Sequence, residues 1–344
     1  MSLTIALHDS SIKEAILDLA ENFGFDPEVS ENEYCIRIPE NLGSGFIKGT
    51  QFTHGIGVLE FNFLLNDQLV MEFQKGLIHP LKLLFNREST ILHKFEASEE
   101  AQEIHRLESA ILSSTPQNNH IFTFPANEPI CIYSLEIDRK LFEEKISEFL
   151  TDMNDDLMTL FRDLNGTQIF YHKEYYSLDI AKFLEEFTEC ELLDFMKVVY
   201  QEGKTYEILS HQLQQYLDDL NGTGNHKITR KATLDKIENA AEIIKSELDQ
   251  MDNILTIAKR VGLNQNTLQQ GFKRLYKTSV NEYIRNFRIE KAKELLENTD
   301  MNITQISYKI GINSRSYFSK LFKKRYGVSP KEYHNQIRKS SEEK

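Results

Sequence analysis

Two basic, aromatic phrases stand fifty residues apart near the C-terminus: "F-K-R-L-Y-K-T-S-V-N-E-Y" at 272–283 and "F-K-K-R-Y-G-V-S-P-K-E-Y" at 322–333. Lysine and arginine at this density suit contact with phosphate, yet the chain as a whole is acidic. Residues 227–344 hold 24 lysines and arginines against 14 aspartates and glutamates, a net of +10. Residues 1–226 hold 16 against 39, a net of −23, so the overall −13 conceals a split. Asymmetry of this size points to a nucleic-acid-facing segment joined to one that does not touch phosphate. Charge alone fits two oppositely charged solvated surfaces equally well.

Other chemistry is poorly represented. His54, His79, His93, His105 and His120 show neither H-x-H nor H-E-x-x-H spacing. They are expected to scatter over the surface, with no metal ligand or cofactor; a barrel metal site assembled from distant strands is the alternative. Cys35, Cys131 and Cys190 lie far apart without a C-x-x-C pair, which argues against zinc and disulfides and suits a reducing compartment. "G-S-G-F-I-K-G" at 43–49 lacks the spacing of a dinucleotide fingerprint and is read as turn glycines. Neither a nucleophile elbow nor a Walker loop occurs, so the chain is not expected to be an enzyme. Met1–Ser10 lacks the basic start and apolar core of a signal peptide, and no run approaches the ~20 apolar residues that span a bilayer. A cytoplasmic protein without membrane contact is expected.

The elements that must position the basic phrases are legible around them. Ile257, Val261, Gly262 and Asn264 match Ile306, Ile310, Gly311 and Asn313 at an offset of 49. Phe272, Lys273, Tyr276, Ser279, Glu282 and Tyr283 match Phe322, Lys323, Tyr326, Ser329, Glu332 and Tyr333 at an offset of 50. One inserted residue therefore falls around Gln265–Thr267 or its counterpart, and constant spacing within each block implies two copies of one unit. In each unit an apolar-periodic helix ends at a glycine, and a polar turn leads to a second helix with polar residues outward. Leu268 and Phe272, or Phe318, Leu321 and Phe322, face inward. This is the pattern of a helix-turn-helix, whose second helix lies in the major groove; a short αα-hairpin without DNA is the alternative. Asn281–Glu297 reads as one connecting helix, buried through Ile284, Phe287, Ile289, Ala292, Leu295 and Leu296. Its seventeen residues span roughly 26 Å, enough with the packed units to set two recognition helices about one DNA turn apart.

Ahead of these units a helix is expected over Ser11–Phe23, and strand-like runs broken by Gly, Asn and Pro over 34–138 suggest a sandwich or barrel. Residues 139–220 turn helical. Leu209, Leu213, Tyr216, Leu217 and Leu220 form one stripe, to pack on their own domain or on a second copy in a homodimer. "N-G-T-G-N-H-K-I-T-R-K" at 221–231 reads as a linker. The fold class is multidomain: a β-rich region with following helices, then an all-α domain of two helix-turn-helix units joined by a linker helix.

Residues 235–338 resemble the C-terminal DNA-binding domain of AraC/XylS-type bacterial transcription regulators. The resemblance is carried by "R-I-x-x-A-x-x-L-L" at Arg288–Leu296, "I-G-I-N-S-R-S-Y-F-S-K-L-F-K-K-R-Y-G" at 310–327 and "S-P-K-E-Y" at 329–333. Lys277 departs from it, standing where the second unit has Gly327. The resemblance implies double-stranded DNA as partner, and RNA polymerase as well for an activator. Its base-reading positions fall on Asn266, Gln269 and Gln270 in the first recognition helix, and on Arg315, Ser316, Tyr317 and Lys320 in the second. Gln and Asn can pair bidentately with adenine, while Arg and Lys donate to guanine. Lys273, Arg274, Lys323, Lys324 and Arg325 are assigned to phosphate, which positions without specifying sequence. The implied domains are a sensor or dimerisation domain over 1–220, a linker over 221–233 and an AraC-type reader over 234–340, with units at about 252–277 and 301–327.

"G-S-G-F-I-K-G-T-Q-F", "E-G-K-T-Y-E-I-L-S-H-Q-L" at 202–213 and "V-G-L-N-Q-N-T-L-Q-Q-G-F-K" at 261–273 resemble the siderophore-responsive, PchR-like branch. That implies a ferric siderophore as inducer, control of iron-uptake genes, and a cavity for which Phe46, Phe52, Phe61 and Phe63 are candidates. The alternatives are a front half that only dimerises or senses another small molecule, or an enzyme or DNA-repair methyl acceptor fused to the reader. The last would need a zinc-held cysteine cluster that three isolated cysteines do not supply.

Overall fold

In the run Ile56–Leu65, Phe61, Phe63 and Leu65 are buried while Asn62 and Leu64 are exposed. That is the two-residue period of a strand with one face in a core. A computed structural model describes residues 2–8, 11–74, 79–149, 153–221, 225–248, 253–299 and 301–342, which divide into two compact units, 1–227 and 228–344. In chain order the first unit contains β1 (Ser2–Leu7), α1 (Ile12–Phe23), β2 (Glu28–Ser30), β3 (Glu33–Arg37), β4 (Gly43–Gln51), β5 (Ile56–Leu65) and β6 (Gln68–Phe73). It continues through β7 (Leu81–Asn86), β8 (Ile91–Phe95), β9 (Gln102–Ile104), β10 (Glu108–Ser113), β11 (His120–Phe124) and β12 (Pro129–Ile137). Then come α2 (Arg139–Ile146), α3 (Asp155–Phe161), β13 (Phe170–Tyr175), α4 (Leu178–Thr188) and α5 (Asp194–Asn221).

The strands form two sheets. One has the order β13-β10-β7-β12-β5-β4-β3-β2, and the other β1-β6-β11-β8-β9. Ile47, Leu59, Phe61 and Phe63 from the first share one core with Met71, Phe73, Phe122 and Phe124 from the second. Helix α1, capped by Ser11 and closed by Gly24, adds Ile12, Ile16 and Leu19 to it. The glycines of "G-S-G-F-I-K-G" are not turn residues, because they lie within β4. At Gly49 a Cβ would stand 2.4 Å from Ile12 Cγ2, so the absent side chain lets α1 lie against the strand.

β1, β2 and β13 lie outside the stretch, 34–138, expected to be strand-rich. β7 and β10 are buried at every position, which erases alternation. β13 lies inside the stretch expected to be helical and pairs with β10 from Glu108↔Tyr175 to Ser113↔Phe170. The stripe on α5 also differs from expectation. Its buried face carries Gln201, Thr205, Ile208, Leu209, Gln212, Gln215 and Tyr216, whereas Leu213 and Leu217 are half-buried and Leu220 is exposed. Glutamines reach the interior there because they bond to the strands beneath: Gln212 Nε2 donates to Ser109 Oγ at 3.3 Å, and Gln215 Nε2 to the Tyr175 carbonyl at 3.1 Å.

The described residues beyond 224 are helical: α6 (Asn225–Ser246), within which the division at 227/228 falls, α7 (Ile254–Arg260), α8 (Gln265–Tyr276), α9 (Val280–Asn298), α10 (Ile303–Lys309), α11 (Arg315–Tyr326) and α12 (Pro330–Glu342). Helix α6 occupies 225–233 of the expected linker, and 222–224 lie outside the described residues. It buries Leu234, Ile237, Ala240, Ala241 and Ile244 at helical spacing. Ile237 fills the place where a side chain on Gly271 of α8 would stand, 2.3 Å from its Cδ1.

Three histidines expected on the surface are instead buried together. His79, His93 and His120 are all 0% exposed, with His93 Nε2 3.0 Å from His120 Nδ1 and the His79 and His120 rings 5.1 Å apart. Strands distant in sequence bring them together beside the buried Lys82–Glu136 ion pair, whose Nζ–Oε1 distance is 2.8 Å. Burial, and then the Lys82 charge, push His93 down to about 3; burial pushes His120 well below the ordinary value. An unfolded histidine takes up its proton near pH 6.5, so between about 6.5 and 3 the unfolded chain binds more protons. The stability these neutral imidazoles contribute is therefore complete above about pH 6.5 and lost as pH falls towards 3. Urea unfolding at pH 7.5 and 5.0 should show a loss on acidification, and His93→Gln should flatten it; a slope unchanged by the substitution would contradict this account.

Candidate nucleic-acid interface

Each recognition helix begins at a side-chain cap. Asn264 Oδ1 accepts the Thr267 N–H at 2.8 Å at the start of α8, and Ser314 Oγ accepts the Tyr317 N–H at 3.3 Å at the start of α11. The caps are fifty apart, so the inserted residue lies before α11, between Ile312 and Ser314, and not inside the helix near Gln265–Thr267. Ahead of the caps the two turns share one hydrogen-bond pattern. Leu263 N–H donates to Ala258 O and Gly262 N–H to Lys259 O; Ile312 N–H donates to Ser307 O and Gly311 N–H to Tyr308 O. This double bond across a left-handed glycine ends a helix abruptly and fixes the entry to the next. Gly262 has φ +68° and Gly311 φ +70°.

The repeated phrase is largely structural. Phe272, Tyr276 and Tyr283 form a three-ring cluster with centroids 4.8–5.2 Å apart, and Phe322, Tyr326 and Tyr333 form its counterpart at 4.8–6.2 Å. Each cluster ties a recognition helix to the helix that follows. Ser279 Oγ and Ser329 Oγ accept the Glu282 and Glu332 N–H groups as N-caps. At the second, Glu332 also accepts the Ser329 N–H at 2.7 Å, which closes a capping box and holds the glutamate below the usual carboxylate range. Helix α9 joins the two halves: Tyr283 packs on Phe272, while Ile289, Ala292, Leu295 and Leu296 enter the core around Phe318 and Phe322.

With those residues accounted for, the exposed ones can be placed. Asn266, Gln270 and Lys273 are exposed on α8, and Arg315, Ser316, Tyr317, Lys320, Lys323 and Lys324 on α11. Gln269 differs: it is half-buried, and its Oε1 accepts the Val280 N–H at 3.3 Å, which holds the turn into α9. Arg274 is half-buried and engaged. Arg325 Nη2 lies 3.2 Å from Glu290 Oε1 on α9. Registering the helices on their caps pairs Gln265 with Arg315, and Gln265 is exposed as well. It is absent from the expected base-reading positions because the inserted residue is Asn313, ahead of the helix and not within its first residues.

The four phenylalanines of the front half do not converge. Phe61 and Phe63 point into the core, where Phe124 lies 5.9 and 5.6 Å from them. Phe46 pairs with Asn62 and so faces the other side of the sheet, while Phe52 is buried outside that core cluster. The core cavity lined by Phe61, Phe73, Lys82, Phe122 and Glu136 measures about 20 Å³, the room of a single water.

A family model described as a helix-turn-helix domain matches residues 257–336, and one described as the regulatory protein PchR N-terminal domain matches residues 71–229. The chain is 27% identical over 135 residues to the Msm operon regulatory protein of Streptococcus mutans, covering 39% of this chain and 47% of that protein. It is 26% identical over 166 residues to the regulatory protein PocR of Salmonella typhimurium, covering 46% and 55%. With histidine kinase P4 of Formosa agariphila it shares 32% identity over 100 residues, 29% of this chain and 7% of the kinase. The chain thus spans about half the length of the two regulators and a small part of the kinase.

The turn geometry separates three substitutions. Lys277 closes α8 at φ +56°, where Gly327 closes α11 at φ +80°. Left-handed backbone costs a side-chain-bearing residue about 1–2 kcal/mol, offset in part by the greater unfolded freedom of glycine. Lys277→Gly should therefore stabilise by about 0.5–1 kcal/mol. Gly262→Ala should cost about 1–2 kcal/mol, since only the Lys236 side chain lies near, at 3.7 Å. Gly311→Ala should cost about 1–3 kcal/mol more, because its Cβ would stand 2.4 Å from the Leu248 carbonyl and 2.9 Å from Arg288 Nη2. Urea denaturation followed by helical circular dichroism would rank the three, and equal losses at the two glycines would contradict the packing argument.

Proposed function

We propose that the chain is an AraC-family helix-turn-helix regulator with a PchR-type N-terminal domain, and that it reads double-stranded DNA with α8 and α11 in response to a small-molecule signal. The carrying observation is the pair of capped, glycine-turned recognition helices whose buried positions repeat while their exposed positions differ. On this reading Gln265, Asn266 and Gln270 face base edges from α8, and Arg315, Ser316, Tyr317 and Lys320 from α11. Lys273, Lys323 and Lys324 contact phosphate. Gln269 positions the turn, and Arg274 and Arg325 reach phosphate only by leaving their present partners.

For the front half, the match of 71–229 to the PchR N-terminal domain supports a ferric siderophore as the signal and iron-uptake genes as the target. The core cavity is too small for such a ligand. An open depression of about 880 Å³, lined by Phe25, Glu28, Arg37, Pro39 and Ser44 among others, offers the room. A second reading, dimerisation through the 139–220 helices, draws on another observation. Leu192, Leu193, Phe195, Met196 and Val199 are 42–76% exposed around the start of α5, an apolar surface suited to a second copy. An activator would also contact RNA polymerase, and cytoplasmic action follows from the DNA target. Among the described residues no helix is long and apolar enough to cross a membrane.

Two experiments test these readings. Lys320→Ala should cost about 1–3 kcal/mol on the preferred site and relax discrimination there, whereas Lys324→Ala should weaken all sequences alike and reduce the salt dependence. Gln269→Ala should lower the melting temperature more than it alters sequence preference. Uniform losses for Lys320→Ala across random and preferred DNA would remove it from base reading. Separately, calorimetry of the 344-residue chain with iron-loaded and iron-free siderophores should show binding of the loaded form, with tighter operator binding in its presence. Failure with every siderophore, together with a dimer that Phe195→Glu dissociates, would leave the front half to dimerisation.

A further inference from the structure

Where β13 meets the last turn of α5, three side chains come together that sequence spacing does not announce. His172 and Glu174 stand two apart on the strand and so share a face, and Asp219 comes from the helix laid across it. One ligand atom from each lies within 4.8 Å of the others. His172 Nε2 is buried, makes no hydrogen bond and stands 3.7 Å from Glu174 Oε2. The Glu174 side chain is fully buried.

The surroundings hold these groups in place. Gln215 Nε2 donates to Glu174 Oε1 and to the Tyr175 carbonyl, while Gln215 Oε1 accepts the Ser177 N–H at 3.1 Å. One oxygen of Glu174 is thus tethered, and the other is turned towards the imidazole. The Tyr216 ring packs edge-on to His172 at 5.0 Å and limits its rotation. Ligand carboxylates and imidazoles braced by neighbours in this manner are typical of metal sites.

We propose that His172, Glu174 and Asp219 bind one divalent first-row transition-metal ion. Two carboxylates neutralise the charge of such an ion. The imidazole selects the zinc, iron(II) and cobalt class over magnesium and calcium, which take oxygen ligands. Three protein ligands leave at least one position for water or an incoming donor. Bound metal would clamp the last turn of α5 to β13, and α5 ends at Asn221, immediately before the chain passes to α6.

The test uses the 344-residue chain stripped with a chelator and dialysed against zinc(II), with bound metal counted by elemental analysis. Cobalt(II) absorption serves as a second readout that a purely structural role would not produce. One equivalent of zinc is expected, with cobalt bands that zinc abolishes and excess magnesium or calcium does not. His172→Gln and Asp219→Asn should each weaken binding about tenfold or more, the scale of losing a group in a metal site. Melting each variant with and without zinc separates ligation from folding: zinc should raise the melting temperature of the parent protein and leave that of Asp219→Asn unmoved. Absence of uptake, uptake by both variants equal to that of the parent protein, or equal competition by magnesium would overturn the assignment. In the last two cases the ion sits elsewhere or is held by carboxylates alone.

Discussion

What the C-terminal unit presents on α8 and α11 depends on the buried face of α9. A base-reading helix is useful only where its orientation is fixed, because hydrogen bonds to base edges tolerate little displacement. The nineteen residues of α9, about 28 Å of helix, contribute Tyr283 to one aromatic cluster and Ile289–Leu296 to the other core. The two recognition helices are thereby fastened to one rod. Each turn ahead of them is closed by two backbone bonds across a left-handed glycine. Arg288 strengthens the second junction, donating to the Leu248 carbonyl at 3.2 Å beside Gly311, so α9, Leu248 just beyond α6 and the second turn meet at one point.

This arrangement explains why the repeated phrase is repeated. Its Phe, Tyr, Ser, Glu and Tyr positions are rings and caps that any copy of the unit needs. Positive charge is a smaller part of the pattern: Lys273, Lys323 and Lys324 are exposed, whereas Arg274 is half-buried and Arg325 is paired with Glu290. The net of +10 over 227–344 still favours approach to phosphate, and the −23 of the front half opposes it. Any state that brings the acidic unit nearer to DNA would weaken binding most at low salt.

How much could be read beforehand follows from how local each cause is. The helices of the second unit, their glycines and the alternating strand β5 were legible because short-range periodicity encodes them. Strands β7 and β10 carry no such alternation, since burial on both faces removes it. α6 was masked at its start by Gly222 and Gly224, although Leu234, Ile237, Ala241 and Ile244 carry a helical period beyond them. The fate of Gln269 could not be read from spacing, because the N–H it accepts belongs to the following helix. His79, His93 and His120, like His172, Glu174 and Asp219, are brought together by strand pairing and helix docking across long separations. No motif scan sees them.

The two caps put α8 and α11 in register. Once Asn264 is aligned with Ser314, the exposed positions compare as Gln265 with Arg315, Asn266 with Ser316 and Gln270 with Lys320. On the proposed reading the first helix offers amides, which suit adenine edges, and the second offers cations, which suit guanine. A site read this way is asymmetric, with its two major-groove segments unlike in composition. A protein whose two readers are covalently joined has no need of a palindrome, because the order of α8 and α11 along the chain already supplies polarity. If two copies also associate through the apolar start of α5, they would require two such asymmetric sites, and their spacing would be set by that contact and not by α9.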